Sequence, residues 1–207
     1  MNIPLRIVSQ DPPVSPKMDS SVWLASAFRP FFAASALMAV FWILAWALEL
    51  RGAQLIPHAP FGTWWHGHEM IFGFAGSVVA GFLLTAAGNW TGLPMLRGPG
   101  LGALWGMWLA ARLGLLVAPP WMLLPVAILD LAFFPGLALA LAIPIGRARQ
   151  WRNLIFVPVL LALTLCNAGY WAQLLGFSAT SAIWAREAAV GLILILVAII
   201  GGRVIPF

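Results

Sequence analysis

Few polar residues in this chain could bind a metal or move a proton, and the densest group is Trp64-Trp65-His66-Gly67-His68-Glu69-Met70. If the segment is helical from His66, then His66, Glu69 and Met70 share one face at spacings of three and four. His68 falls about 200° around the helix from His66, so the two imidazoles cannot easily take opposite axial positions on one metal ion. One can ligate while the other serves a second site or orients a carboxylate such as Glu69. The residues following His68-Glu69 are Met-Ile-Phe, which excludes the HExxH zinc-protease pattern. Imidazole together with the Met70 thioether suits copper. The alternative reading of the same residues is a hydrogen-bonded cap at a membrane surface. Further candidates are His58 between Pro57 and Pro60, Glu49, Arg112, Asp130, Asn167, Tyr170 and Glu187. No Ser-His-Asp set, phosphate loop or dinucleotide fingerprint is present. Cys166 is the single cysteine, which excludes a disulfide framework and a CxxC metal site.

The elements that must hold these residues follow from composition. The 207 residues are 62% hydrophobic and 8% charged, too few charges to coat a soluble globule of this size. The basic residues are scattered singly between apolar blocks, which excludes nucleic acid as a partner and leaves the lipid bilayer. Six apolar blocks occupy 31–50, 71–87, 101–118, 121–145, 154–176 and 188–201. A helix needs about 20 residues to cross the hydrocarbon, so the last block requires extension through 184–187 or beyond. None of the blocks alternates as barrel strands do, and lipid leaves the backbone no other way to satisfy itself. The expected fold class is all-α, a polytopic bundle of about six transmembrane helices. Residues 1–30, rich in proline and mixed charge, read as a cytoplasmic, largely unstructured or surface-lying tail, and 31–207 as the membrane domain. With the N-terminus inside, Arg6, Lys17, Arg29, Arg97, Arg147, Arg149, Arg152 and Arg203 are cytoplasmic, against Arg51 and Arg186 outside. This bias predicts both ends in the cytoplasm. Gly73/Ser77/Gly81 and Gly76/Ala80 repeat small residues every four positions, a pattern that admits close helix neighbours. Trp64, Trp65, Trp90, Trp121, Trp151 and Trp184 fall near span ends and read as interfacial anchors.

In this topology Arg112 lies about 10 Å and Asp130 about 15 Å below the outer surface, on spans three and four. The short Pro119-Pro120 turn makes those spans antiparallel neighbours, so an Arg112–Asp130 ion pair is expected. It either supports function or fixes helix register. Asn167 and Tyr170 reach similar depths, so polar groups gather in the outer half, as an outward-opening cofactor or ligand pocket requires.

The run Phe28-Arg29-Pro30-Phe31-Phe32 followed by Trp65-His66-Gly67-His68-Glu69-Met70-Ile71-Phe72-Gly73-Phe74 resembles the NnrS family. The likeness continues through 80–86, Asn89-Trp90-Thr91-Gly92, Ala111-Arg112-Leu113 and the closing Gly201-Gly202-Arg203-Val204-Ile205-Pro206-Phe207. The resemblance implies a bacterial inner-membrane protein containing haem and copper, linked to denitrification and protection from nitric oxide. It further implies a protein roughly twice this length, so the chain resembles an N-terminal half, with missing ligands supplied by a second half or a homo-oligomer. Carried over, the motif makes His66 and His68 the expected cofactor and metal ligands, with Met70 beside them and Glu69 supporting. Binding or sequestering is the leading expectation. A redox enzyme acting on nitric oxide, a transporter using Arg112 and Asp130, and an inactive half are the alternatives.

Overall fold

The computed structural model describes residues 20–53 and 62–204. Among the described residues the chain is helical throughout, with six helices long and apolar enough to cross a membrane. We number them α1, Phe28–Glu49; α2, an unbroken run of the α-helix Gly62–His68, the π-helical turn Glu69–Ala75 and the α-helix Gly76–Thr91; α3, Gly98–Val117; α4, Pro120–Arg147; α5, Trp151–Leu174; and α6, Ser181–Val204. Short connections make α2 to α6 successively antiparallel. The sixth span begins at Ser181 and takes in Trp184–Glu187, which supplies the length missing from its apolar block. The second span also begins earlier than its apolar block, at Gly62. The Trp64–Met70 motif therefore forms the first turns of a helix about 45 Å long rather than a segment preceding it.

Part of the proposed tail is built into the bundle. Leu24 O accepts from Gly98 N at 2.8 Å, Arg29 Nη1 donates to Val22 O, and Ala27, Pro30 and Phe31 are buried. Residues 1–19, which hold most of that tail, lie outside the described residues.

The bundle is centred on α2, which packs against α1 along its length and against α4 over Gly76–Thr91, touches α3 through the π turn, and touches α6 through the π turn and the turns before it. The small residues explain how one helix serves two neighbours. A side chain at Gly81 would meet Phe32 and Phe31 of α1 at 2.7–3.0 Å, and Ser77 Oγ sits 2.7 Å from Ser35 Oγ of the same helix. On the other flank a side chain at Gly76 would meet Phe134 of α4 at 3.1 Å. Leu37, Val40, Phe41, Leu44, Leu194 and Val197 stand exposed on α1 and α6, an apolar surface suited to lipid. Trp121, Trp151 and Trp184 are exposed near helix ends, as anchors require. Trp65 is not: it is 1% exposed and stacks on Trp42 of α1 with ring centroids 6.0 Å apart. The early start of α2 draws it into the interior.

Candidate functional site

The first turns of α2 send His66 and His68 to opposite sides. His66 lies flat on Trp46 of α1, with ring centroids 3.9 Å apart and planes 8° from parallel. One helical turn deeper, Glu69 Oε2 accepts from Trp42 Nε1 at 3.0 Å. His66 and Glu69 therefore share the face toward α1, matching Trp46 and Trp42 on the antiparallel partner. His68 points to α4 and α5, covered by Trp64, whose ring lies parallel to it at 5.2 Å.

Behind Trp64 four ionisable side chains meet without water contact. His68 and Glu69 are 0% exposed, Arg112 1% and Asp130 2%. Arg112 Nη2 donates to Asp130 Oδ1, and Arg112 Nη1 lies 3.3 Å from Glu69 Oε1 as an ion pair without hydrogen-bond alignment. Asp130 Oδ2 accepts from Asn167 Nδ2 and from Trp171 Nε1, each at 2.8 Å. Both nitrogens of His68 face oxygen: Nδ1 is 3.1 Å from Glu69 Oε1, and Nε2 is 2.9 Å from Asn167 Oδ1 and 3.1 Å from Asp130 Oδ2. Such an imidazole is satisfied when both nitrogens carry hydrogen. His68 and Arg112 then balance Glu69 and Asp130, and the centre is neutral as a whole. That balance is what permits four charges in lipid, where one alone costs several kcal/mol.

The π turn helps to shape this centre. It widens the helix over Glu69–Ala75, and Gly73 O within it accepts from Trp108 Nε1 of α3 at 3.3 Å. Gly73 itself is enclosed: a side chain there would meet Met38 Cε at 2.5 Å, Glu69 Oε2 at 3.0 Å and Arg112 Cδ at 3.3 Å.

Of the residues singled out in the sequence, the structure gathers His68, Glu69, Arg112, Asp130 and Asn167 into one centre. His66 and Met70 stay apart from it, and Tyr170 packs edge-on against His68 at 5.5 Å. Trp42, Trp108 and Trp171 were not anticipated as hydrogen-bond donors; Trp171 stands four residues after Asn167, a spacing that puts both on one face. His58 lies outside the described residues.

A haem needs axial ligands and copper needs several donors, and the described residues do not meet both demands. His66 Nδ1 is buried without a partner, as an open imidazole would be. His68 has both nitrogens engaged. Among the described residues no three His, Cys, Asp or Glu side chains form a metal-binding group. Among the described residues the arrangement leaves His66 Nδ1 without a hydrogen-bond partner, with the Met70 thioether four residues on.

Fold and site together define a multi-pass helical membrane protein whose second helix carries histidines beside a buried, charge-balanced centre. The family model described as NnrS protein matches residues 22–207, and the chain belongs to that family. No curated protein and no solved structure matches it.

Proposed function

We propose that this is a haem- and copper-binding protein of the bacterial inner membrane that acts in the response to nitric oxide by binding rather than turnover. Family membership over 22–207 supports the reading, and the observation that carries it to a residue is the unpartnered Nδ1 of His66. In this reading His66 is the ligand this chain offers, with Met70 on the same helical face. The remaining ligands come from beyond the described residues, from His58 or from a second chain. His68 holds the centre together and Glu69 carries charge within it.

The test is an absorption spectrum of the detergent-purified chain, oxidised and dithionite-reduced, with metal analysis of the same sample. His66→Ala should abolish a Soret band or metal content while the protein stays helical. His68→Gln should keep the cofactor and lower thermal stability. A protein that keeps haem and copper after His66→Ala overturns the assignment. Nitric oxide consumption coupled to stoichiometric oxidation of an electron donor would replace binding with a redox activity.

A further inference from the structure

A second site lies at the same end of the bundle, on the opposite side of α2 from Trp46. A cavity of about 130 Å³ is lined by Thr63, Trp64, Tyr170, Gln173 and Arg186, with Ala182 and Ile183 as its apolar wall. Its polar equipment is biased toward donors. The indole N–H of Trp64 is buried and has no partner. Arg186 brings a permanent cation, Thr63 and Tyr170 bring hydroxyls, and Gln173 keeps its NH₂ because its Oε1 already accepts from Ala182 N at 3.0 Å. Among the described residues no carboxylate lines the cavity.

Gly67 explains why the two histidines of the motif are separated by a glycine. A side chain there would stand 3.1 Å from the Tyr170 hydroxyl and 3.9 Å from Arg186 Cδ. The bare backbone lets α5 bring the Tyr170 hydroxyl against α2, while Arg186 Cδ lies at ordinary contact distance. The interior of a glycine-containing helix is less stable than one with alanine, so the position is used for approach rather than for helix formation.

We propose that this cavity binds a small inorganic monoanion of three or four heavy atoms, held by the Arg186 guanidinium and the Trp64 N–H. The volume sets the size, since it holds about four waters at liquid density. A cation with neutral donors and no acid sets the charge, because an unpaired buried donor is best satisfied by an anionic acceptor. The site is independent of the metal reading. It involves neither His66 nor the hydrogen-bond partners of His68, and it meets the buried centre through the rings of Trp64 and Tyr170, both packed on His68.

Isothermal titration of the detergent-purified chain with sodium nitrate, in a gluconate buffer whose anion is too large to enter, tests the proposal. Wild type should bind nitrate saturably and melt at higher temperature with it. Arg186→Gln, on an exposed residue, should weaken binding about tenfold or more, the usual weight of a charged hydrogen bond. Trp64→Phe should weaken it less, and Gly67→Ala should also weaken it, by pushing the Tyr170 hydroxyl aside. Melting curves without nitrate establish that each variant is folded. Absence of saturable nitrate binding in wild type overturns the proposal. So does equal nitrate affinity in wild type and folded Arg186→Gln.

Discussion

Removing one charge from the His68–Glu69–Arg112–Asp130 centre leaves another without its counter-ion, in surroundings where neither water nor a spare donor can replace it. Asp130→Asn deprives Arg112 Nη2 of its carboxylate and weakens the acceptor shared by Asn167 and Trp171. Breaking a buried pair in this way costs about 3–5 kcal/mol. Removing both Arg112 and Asp130 keeps the centre neutral, with His68 facing Glu69 alone. The double variant Arg112→Met/Asp130→Asn should therefore be more stable than Arg112→Met by itself, measured as the denaturant midpoint of helix loss in detergent. A double variant that loses the sum of the two single losses would show that the charges do not act as a unit. The contact between Arg112 and Asp130 was legible because the Pro119-Pro120 turn makes their helices neighbours and both lie at matching depth. The recruitment of His68 was not. It depends on the rotation of α2 relative to α4 and α5, which no spacing within one helix reveals, and the π turn resets that rotation over Glu69–Ala75.

At the scale of elements the glycines separate close approach from mere tolerance. Gly81 faces the rings of Phe31 and Phe32, whereas a side chain at Gly106 of α3 would meet nothing within 4 Å. Gly81→Ala must push α1 away from α2 and is expected to cost about 1–3 kcal/mol, as overpacking does. Gly106→Ala relieves a glycine inside a helix and should be neutral or stabilising by up to about 1 kcal/mol. Thermal melts of the two variants side by side decide it, and equal stabilities would mean that the stripe on α2 is not an interface. The stripe was visible as a spacing of four, and the count of six spans followed from apolar length. The start of α2 was hidden, because Trp64–Met70 is too polar to register as membrane helix until partners cover it, whereas the extension of α6 through Trp184–Glu187 was demanded by the shortness of its apolar block. Trp65 was misjudged for the same reason: an indole at the edge of an apolar block reads as an anchor unless the helix is known to begin before it.

Across the whole molecule, the six helices alternate so that the Trp64–Met70 motif and the α3–α4 and α5–α6 turns share one end, while Arg97, Arg147, Arg149 and Arg152 crowd the other. Arg149 even adopts a left-handed backbone, φ 54°, in the turn that closes α4, a position where glycine is the usual residue. By the positive-inside rule the charge imbalance predicts that basic end in the cytoplasm, and with it a histidine motif and a Gly67 cavity facing outward. The lone Cys166 is buried and gives little background to thiol labelling. Two single-cysteine additions to a Cys166→Ser chain therefore test the orientation. Arg51→Cys should react with a membrane-impermeant maleimide in right-side-out vesicles. Arg147→Cys should react only when the vesicles are inverted, its loop keeping Arg149 and Arg152 to hold it inside. The reverse labelling pattern would place the motif on the cytoplasmic side, and a ligand or anion reaching it would then have to come from within the cell.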